Sequence, residues 1–474
     1  MKLKILTGLL TGLVVSASTT ALFCQPSRAG NNRLFGNGTL KYINTRILNA
    51  EPVVCAGVNQ EDTCTNRTLR FTLKQGSDAE ATLKKLPKVD LTVVEFTNRQ
   101  KYSVAKMGNS DLAAGEKAED FFIQGEEKYE KGDYQGAIAA YTQAIVLNPN
   151  YAEAYNSRGN ARYILGDNKG AIADFNEALR INPNYVEAYT SRGNARDDSG
   201  DSQGALADYN AALRINPNDS SAYYNRGVTR YRLGDNKGAV ADYTEALRIN
   251  PNYASAYNNR GMVRSQLGDS QGAVADFNEA LRINPNLSQA YGNRGLARYS
   301  LGDKEGAIAD FNQVLQINPN DALAYYHRGN IRYVSGDNQG AVADFNEAVR
   351  INPKYAQAYI NRGNARDDLG DSQGAVADYD RALQINPNLA GAYLNRGVTR
   401  FRLGDTQSAV ADYNAALRID PNLAGAYLSR GLARAKEGDK PGAIQDFQKA
   451  ADLFQQQGDQ NNYEKAINNL RKLQ

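Results

Sequence analysis

The sequence contains little of what most catalytic and metal sites require. Its 474 residues include one histidine, three cysteines and no tryptophan. A single histidine leaves little room for acid–base or metal chemistry that relies on imidazole. Basic and acidic residues nearly cancel, 55 against 52, so no charge excess marks the chain as a nucleic-acid-binding protein. The composition therefore favours neither an enzyme nor a nucleic-acid-binding protein, and it implies no cofactor.

The first 29 residues differ from the rest of the chain. Two lysines precede a weakly apolar run over 5–23, and the small residues Ser27 and Ala29 suit a signal peptidase. This pattern predicts a signal peptide over 1–29; an uncleaved anchor and a lipoprotein at Cys24 are the alternatives. No later stretch is apolar enough to span a bilayer. We therefore expect an exported protein of bacterial type, periplasmic or extracellular, without a membrane span after cleavage.

Residues 30–109 alternate between apolar and polar side chains, which is the period of half-buried strands. The segment TLRFTLK (68–74) shows this alternation, and VDLTVVEFTN and KYSVAK are similar. We expect a small β-rich domain of unknown type here. Cys55 and Cys64 form an even pair once 1–29 is removed, which predicts a disulfide in an oxidising compartment. Two free thiols are the alternative.

From residue 118 onward the sequence repeats at a fixed interval. Nine evenly spaced prolines mark this interval, starting with Pro149 and Pro183 and ending with Pro421. Units of this length give ten repeats over 118–457, with a linker or helix start at 110–117 before them. Unit positions are counted from 1 at the first residue of each unit.

Each unit has the features of two helices joined by a tight turn. An aromatic residue stands at position 4 and glycine at position 8, and the Gly-Asp pair at positions 15 and 16 suits a helix end followed by a cap. Alanine at 20 and 27 and Phe or Tyr at 24 give the second helix an apolar face. Asn-Pro-Asn then ends that helix, because proline cannot continue it.

This pattern resembles the tetratricopeptide repeat, whose units are about 34 residues long. The aromatic residues, the glycine, the two alanines and the proline match over 340 of 474 residues; only Val314 replaces the alanine at position 27, and only the last unit lacks its proline. The resemblance implies a mainly α, right-handed superhelical solenoid of helix–turn–helix units, preceded by the small β-rich domain. The amphipathic segment 458–474 resembles the capping helix that such arrays need.

Nine units depart from the family in a regular way. They carry arginine at positions 7 and 11 and aspartate at position 23, from Arg158, Arg162 and Asp174 to Arg430 and its partners in the last unit. The family usually has an apolar residue at position 7. Arginine cannot shed its charge, so a partly buried row needs partners. Each of these units supplies one aspartate for an arginine, and this one-to-one pairing predicts an internal ladder of ion pairs, with anion binding as the alternative.

The resemblance also implies a binding surface. In related arrays positions 2, 5, 9, 12 and 13 line a concave wall, and asparagines at position 6 hold the backbone of an extended peptide, for which a carboxamide offers both donor and acceptor. The alternatives are that these asparagines bridge neighbouring helices and that the acidic residues form a solvated patch. We expect His327, in the same row, to be a polar wall residue. The candidates are Asn225, Asn259, Asn293, Asn361 and Asn395; Tyr163, Tyr231, Tyr299, Tyr333 and Phe401; and Asp197, Asp198, Asp367, Asp368, Arg232 and Arg402.

The two Asp-Asp pairs belong to a duplication. The string NARDDSGDSQG at 194–204 returns five units later, at 364–374, as NARDDLGDSQG. A block over 152–321 is therefore copied into 322 onward. Adjacent residues on a helix diverge by about 100°, so an Asp pair cannot share a proton across one substrate. We interpret these pairs as binding candidates rather than catalytic acids.

The function expected from the sequence is that of an interaction scaffold of the cell envelope. It would bind extended segments of a protein or peptide partner on the concave face, without catalysis, cofactor, metal or nucleic acid. One alternative is a self-assembling or structural envelope protein with no peptide in the groove. Another is a regulatory array that serves an enzyme in a different chain.

Overall fold

The structure is a computed structural model that describes residues 42–48, 51–57, 69–72 and 109–474. The described chain divides between Lys117 and Ala118 into two compact units. Strands occur in the N-terminal part, up to Lys117, and the part from Ala118 onward consists of helices.

Three strands of the N-terminal part form an antiparallel sheet in the order β1-β2-β3. The described part of the alternating segment 68–74 is β3, where Phe71 pairs with Val54 of β2. The other two predicted strand segments, VDLTVVEFTN and KYSVAK, lie outside the described residues. The strand bounds are Tyr42–Leu48 for β1, Glu51–Gly57 for β2 and Leu69–Thr72 for β3.

Twenty-one helices, α1 to α21, follow within residues 109–474. They alternate as first and second helices of ten units, and α21 follows the tenth. Helix α1 begins at Asn109, so the segment 110–117, expected as a linker or a helix start, lies within α1. The helices are α1 Asn109–Glu130, α2 Tyr134–Leu147, α3 Ala152–Ile164, α4 Asn168–Ile181, α5 Val186–Asp198, α6 Ser202–Ile215, α7 Ser220–Arg232, α8 Asn236–Ile249, α9 Ala254–Gln266, α10 Ser270–Ile283, α11 Ser288–Ser300, α12 Lys304–Ile317, α13 Ala322–Val334, α14 Asn338–Ile351, α15 Ala356–Asp368, α16 Ser372–Ile385, α17 Ala390–Arg402, α18 Thr406–Ile419, α19 Ala424–Glu437, α20 Lys440–Gln456 and α21 Gln460–Arg471.

The Gly-Asp pair separates the two helices of each unit as the sequence predicts. Gly166 has a φ of 83°, in the left-handed region that glycine adopts without strain. Asp167 then caps α4, because its Oδ1 accepts a hydrogen bond from the backbone N of Gly170 at 2.9 Å. Aspartate at position 16 caps the second helix in every unit in this way.

Alanine and aromatic side chains fill the space between the helices. In the second unit Ala171, Phe175 and Ala178 of α4 are fully buried. Gly159 of α3 makes this packing possible, because a Cβ at that position would lie 2.7 Å from the ring of Phe175. The same residue types recur at these positions along the array, so the core is a stack of similar layers in a solenoid.

Helix α21 covers the end of the last unit. Its Ala466 and Leu470 are buried in the same apolar cluster as Leu453 and Phe454 of α20. Helix α20 has 17 residues, whereas α18 has 14; Leu453 corresponds to the last residue of α18, and Phe454 begins the additional turn. The arrangement suits the capping role expected for 458–474.

Candidate functional site

A buried ion-pair cluster connects the two helices of the second unit. Arg158 of α3 donates from Nε and Nη2 to both carboxylate oxygens of Asp174 on α4, at 3.0 and 2.6 Å. Arg162, one turn later, donates from Nη1 to the same carboxylate at 2.8 Å. The Asp174 side chain is 4% exposed, and the Arg158 guanidinium also lies 5.4 Å from the ring centroid of Tyr155. Two arginines therefore surround one buried carboxylate, and one of the two also lies against an aromatic ring.

The same cluster recurs in all nine units that carry these residues. The predicted internal ladder is therefore confirmed, because these arginines donate to aspartates inside the array. The position-7 pairs are Arg158–Asp174, Arg192–Asp208, Arg226–Asp242, Arg260–Asp276, Arg294–Asp310, Arg328–Asp344, Arg362–Asp378, Arg396–Asp412 and Arg430–Asp446.

The ladder also links consecutive units. Each position-7 arginine donates from Nη1 to the side chain at position 25 of the preceding unit, as Arg192 does to Asn176 Oδ1 at 2.6 Å. Eight of the nine partners are asparagine or threonine. The ninth is Asp380, which contacts Arg396 at 2.5 Å. A single guanidinium thus ties together three helices of two units.

The five candidate asparagines at position 6 bridge neighbouring first helices. Each donates from Nδ2 to the first helix of the preceding unit, and the Asn225 bond measures 3.0 Å. The bridging role that we kept as an alternative is therefore present in the structure. Asn395 is buried, whereas the other four are partly exposed. The pairs are Asn225–Asn194, Asn259–Tyr224, Asn293–Asn258, Asn361–Asn330 and Asn395–Asn364.

A second row of contacts joins position 12 of one unit to position 13 of the next. Tyr231 Oη accepts a hydrogen bond from Gln266 Nε2 at 2.7 Å. Lys436 Nζ lies 4.9 Å from the ring centroid of Phe401. Tyr299 instead packs against an apolar cluster that the sixth and seventh units share. The aromatic candidates therefore form a row along successive first helices of the array.

Asp197 and Asp198 have different partners within this row. Arg232 Nη1 lies 2.5 Å from Asp197 Oδ2, and Ser202 Oγ donates to Asp197 Oδ1 at 2.8 Å. Asp198 accepts a hydrogen bond from the Tyr163 hydroxyl of the preceding unit. Burial, together with this hydrogen bond, raises the pKa of Tyr163 above its ordinary value, so the hydroxyl keeps the proton that it donates. The Asp pair connects three consecutive units.

The second Asp pair repeats this arrangement five units later. Tyr333 donates to Asp368 Oδ2 at 2.8 Å, and Arg402 contacts Asp367. Asp367 also accepts a hydrogen bond from Thr399 Oγ1 at 3.2 Å. The duplicated sequence therefore builds the same network twice.

Two asparagines at position 9 belong to these networks, although we did not single them out from the sequence. Asn194 Oδ1 accepts from the Tyr209 hydroxyl at 2.8 Å as well as from Asn225. Asn364 Oδ1 receives the same bond from Tyr379 at 2.8 Å. The two asparagines lie five units apart, as the Asp pairs do, and this shared spacing is the signal that could have revealed them.

His327 lies among aromatic rings. Its ring stacks on Phe311 with centroids 5.5 Å apart and meets the edge of Tyr326 at the same distance. Burial lowers the pKa of His327 from 6.5 to about 4, so the ring is neutral at pH 7. This environment suits the wall residue that we expected.

Within 42–48, 51–57, 69–72 and 109–474, no group of three or more His, Cys, Asp and Glu is arranged to hold a metal ion. Nor does that part of the chain contain a helix long and apolar enough to cross a membrane. Cys55 lies on β2, paired in register with Asn44 and Arg70. Cys64 and the segment 1–29 lie outside the described residues, so the disulfide and the signal peptide stay predictions.

Family models match most of the helical array. The model described as TPR repeat matches 125–166, 159–200, 193–234, 229–268, 295–336, 329–370, 363–404 and 399–438. A model described as tetratricopeptide repeat matches 254–287. Residues 29–111 match the model described as circadian oscillating protein COP23. None of these three descriptions names an enzyme.

Solved structures with similar folds include three that cover part of this chain. MamA is 26% identical over 35% of this chain and 96% of its own, with a TM-score of 0.33. YrrB, described as a TPR protein with an unusual peptide-binding site, is 23% identical over 40% and 97%, with a TM-score of 0.36. A tetratricopeptide repeat protein from Parabacteroides merdae is 23% identical over 52% and 98%, with a TM-score of 0.40. Comparison with curated proteins gives no match.

Proposed function

The chain belongs to the tetratricopeptide-repeat family, and from this premise we propose that it is an interaction scaffold that binds extended segments of partner proteins. The bound segment would lie on the concave face that the family geometry assigns to the first helices. The observation that carries this proposal is the row of polar and aromatic side chains that continues across unit junctions, exemplified by Asn225–Asn194 and Tyr231–Gln266. A continuous row suits a ligand that runs along the array.

The asparagine row can still serve a peptide backbone after bridging its neighbours. Asn225 and Asn293 are partly exposed, and each uses Nδ2 for the preceding unit. Within the described part of the chain, their Oδ1 atoms accept no hydrogen bond. A carboxamide oxygen in this position can accept from a peptide N–H without reading the side chain. We therefore propose that Asn225 and Asn293 accept hydrogen bonds from the backbone of the bound peptide. Asn259 lies between them in the row and belongs to the same proposed contact surface.

The experiment replaces Asn225, Asn259 and Asn293 together with alanine in the full chain. Binding to an array of 12-residue peptides of varied sequence should weaken for all binders alike, because backbone contacts carry no sequence information. At about 1 kcal/mol for each lost hydrogen bond, the loss should be tens- to hundredfold. The matched control replaces three exposed loop asparagines of the neighbouring units, Asn218, Asn252 and Asn286.

Two results would refute this assignment. If the parent binds no peptide, the groove model fails, and concentration-dependent association in sedimentation would then favour self-assembly. If the triple variant keeps its helical content and binds as tightly as the parent, the asparagine row does not hold the ligand. Circular dichroism and melting must accompany the binding data, because each asparagine also bridges two units.

We further propose that the protein works outside the cytoplasm. The lysines, the weakly apolar run and the small residues of 1–29 support export, with a mature chain that starts at Gly30. N-terminal sequencing of the protein from the envelope fraction tests this, and an intact Met1 would refute it. In the exported protein Cys55 and Cys64 should resist alkylation until a reductant is added. Free alkylation of both would refute the disulfide.

A further inference from the structure

The sixth unit lacks a side chain at a place where the other nine units have one. Position 5 of its first helix is Gly292, whereas the other units carry asparagine, threonine, isoleucine, leucine or an aromatic residue there. In six of those nine units the residue at position 5 is buried, and Leu394 is fully so. The Cβ at this position therefore points between the helices rather than into solvent. A glycine there leaves space within the packing.

The space beside Gly292 is open and reaches the surface. A Cβ built on Gly292 would have one neighbour within 4 Å, which is Cγ2 of Val314 at 3.9 Å. Gly292 is itself partly exposed, although the equivalent residues of most units are buried. A group from outside the chain can therefore enter this space from the side of α11.

Two further departures from the repeat meet at this place. Position 27 is alanine in the other nine units but Val314 here, and Val314 forms the floor of the space. Position 6 of the next unit is His327, whose ring stacks on Phe311 of α12 with centroids 5.5 Å apart. In the fourth and seventh units the ring at position 5 covers the ring at position 24, as Tyr326 covers Phe345. His327 thus lies on the ring that a side chain at position 5 covers elsewhere.

His327 lacks the partner that other residues at position 6 use. At three other junctions the asparagine at position 6 donates to the side chain at position 5 of the preceding unit, as Asn259 does to Tyr224 Oη at 3.0 Å. In the sixth unit that side chain is absent, and within the described residues the ring nitrogens of His327 form no hydrogen bond. A neutral imidazole offers one donor and one acceptor, which is what a peptide group requires. We call the space bounded by Gly292, Val314 and His327 the Gly292 notch.

The repeats themselves indicate which side chain fits the notch. The eighth, ninth and tenth units fill position 5 with Ile360, Leu394 and Leu428, all of them buried. Each of these side chains has four carbons, and Val314 has two more than the alanine that it replaces. About half of that volume is therefore left, which suits the branched end of an aliphatic side chain. The carboxylate of nearby Asp321 already accepts two backbone hydrogen bonds as the cap of α13.

We propose that the Gly292 notch holds one branched aliphatic side chain, leucine, isoleucine or valine, of the extended segment that binds along the array. This inference rests on the proposed function and specifies its ligand at the sixth unit. The peptide group beside that residue would pair with His327. Asn293 follows Gly292 in the chain, and its Oδ1 is available for a further backbone N–H, because Nδ2 makes the bond to the preceding unit. The aliphatic residue would fix the register of a segment that backbone contacts alone hold in any register.

Alanine scanning of bound peptides tests the ligand. The probes are the 12-residue peptides that bind the full chain in the peptide array, each with every residue replaced in turn by alanine. Replacement of one leucine, isoleucine or valine should weaken binding by about tenfold or more, because two or three buried carbons are lost. Lysine at that position should bind more weakly still. Tighter binding of the lysine peptide would mean that the site holds a cation, and it would overturn the proposal.

Variants of Gly292 assign the site. Gly292→Leu supplies from within the chain the side chain that the partner would insert, so it should weaken binding by about tenfold. Alanine replacement in the peptide should then change its affinity by less than about twofold.

Gly292→Ala serves if leucine is not accommodated. It adds one carbon and should weaken binding by roughly threefold while it raises the melting temperature, since alanine favours the helix. Weaker binding together with higher stability cannot result from damage to the fold. Gln313→Ala is the matched control, because Gln313 is exposed on α12 of the same unit. It should leave the affinity unchanged.

Failure of this inference differs from failure of the proposed function. If the asparagine variant weakens the binders but no aliphatic residue dominates their alanine scans, the proposed function stands and the aliphatic site falls. The same conclusion follows if Gly292→Leu and Gly292→Ala both bind as tightly as the parent. A photoreactive leucine at the dominant position should crosslink to α11, α12 or α13, and crosslinks confined to other helices would also overturn the site. If no peptide binds at all, both proposals fall.

Discussion

Arg396 Nη1 lies 2.5 Å from Asp380 Oδ1. At the other eight junctions the equivalent arginine contacts asparagine or threonine instead. The same guanidinium is bidentate to Asp412. Burial lowers the pKa of Arg396, but the hydrogen bonds with Asp412 and Asp380 outweigh it, so the pKa is raised. Arg400 also lies near Asp380, so this cluster has a carboxylate at position 25, where the other eight clusters have a neutral side chain.

This difference predicts opposite effects of two reciprocal substitutions. Asp380→Asn should lower the free energy of unfolding by up to about 1 kcal/mol, because a half-exposed ion pair contributes little more than that. Asn346→Asp, which gives Arg362 a second carboxylate, should raise it by a similar amount. Urea unfolding at low and high salt is the measurement, and both effects should shrink with salt. Shifts of the same sign would contradict the prediction.

The buried aspartate of the ladder should matter far more than a surface ion pair. Asp276→Asn would leave Arg260 and Arg264 without their shared carboxylate and should cost about 2–4 kcal/mol. Glu279→Gln in the same unit breaks an exposed pair with Arg282 and should leave the urea midpoint almost unchanged, because solvent screens such a pair. Urea midpoints of the two variants compare them directly. Equal midpoints would mean that the ladder does not support the fold.

The units and their turns could be predicted because they depend on local chemistry. Gly166 and Asp167 fix a helix end and the next cap within a few residues, and proline stops the second helix. The ladder was predictable in part. The tally of arginine and aspartate indicated the pairs, but the contact of Arg192 with Asn176 depends on how the preceding unit packs.

Contacts between units could not be predicted, because they depend on the packing of one first helix on the next. Asn225 reaches back 31 residues to Asn194, whereas Asn259 reaches back 35 to Tyr224. Both asparagines occupy position 6, so the same position uses two different partners. The sequence indicated which side chains line the row, and the structure adds which of their atoms are already engaged.

Two glycines of the first helices should respond in opposite directions to alanine. A Cβ at Gly261 would lie 2.9 Å from Phe277 and 3.1 Å from the backbone oxygen of Ala273, so Gly261→Ala should cost about 1–3 kcal/mol. A Cβ at Gly292 meets only Val314, at 3.9 Å, so Gly292→Ala should stabilise α11 by about 0.5–1 kcal/mol. Thermal melting decides between them. A stabilised Gly261→Ala would show that the interhelix packing is looser than described.

Position 24 offers a natural comparison between tyrosine and phenylalanine. Five units carry a buried tyrosine there and five a buried phenylalanine. Burial raises the pKa of Tyr243 and of Tyr413 above the ordinary 10.0. A group that ionises less readily in the folded state contributes stability that is fully present below pH 10. That contribution is lost as the pH rises from 10 towards the folded pKa, because the unfolded chain releases its protons first.

The array should therefore unfold in alkali, and removal of two buried hydroxyls should delay it. Tyr243→Phe with Tyr413→Phe retains the ring that five other units already accommodate, so stability at pH 7 should change by less than about 1.5 kcal/mol. The pH midpoint of helix loss above pH 10 should rise by roughly a few tenths of a unit. Circular dichroism and tyrosinate absorbance, recorded together, should change in the same interval. Tyr463→Phe on α21, outside this row, is the control and should leave the midpoint in place. If the double variant unfolds at the same pH as the parent, ionisation of these buried tyrosines does not drive the transition.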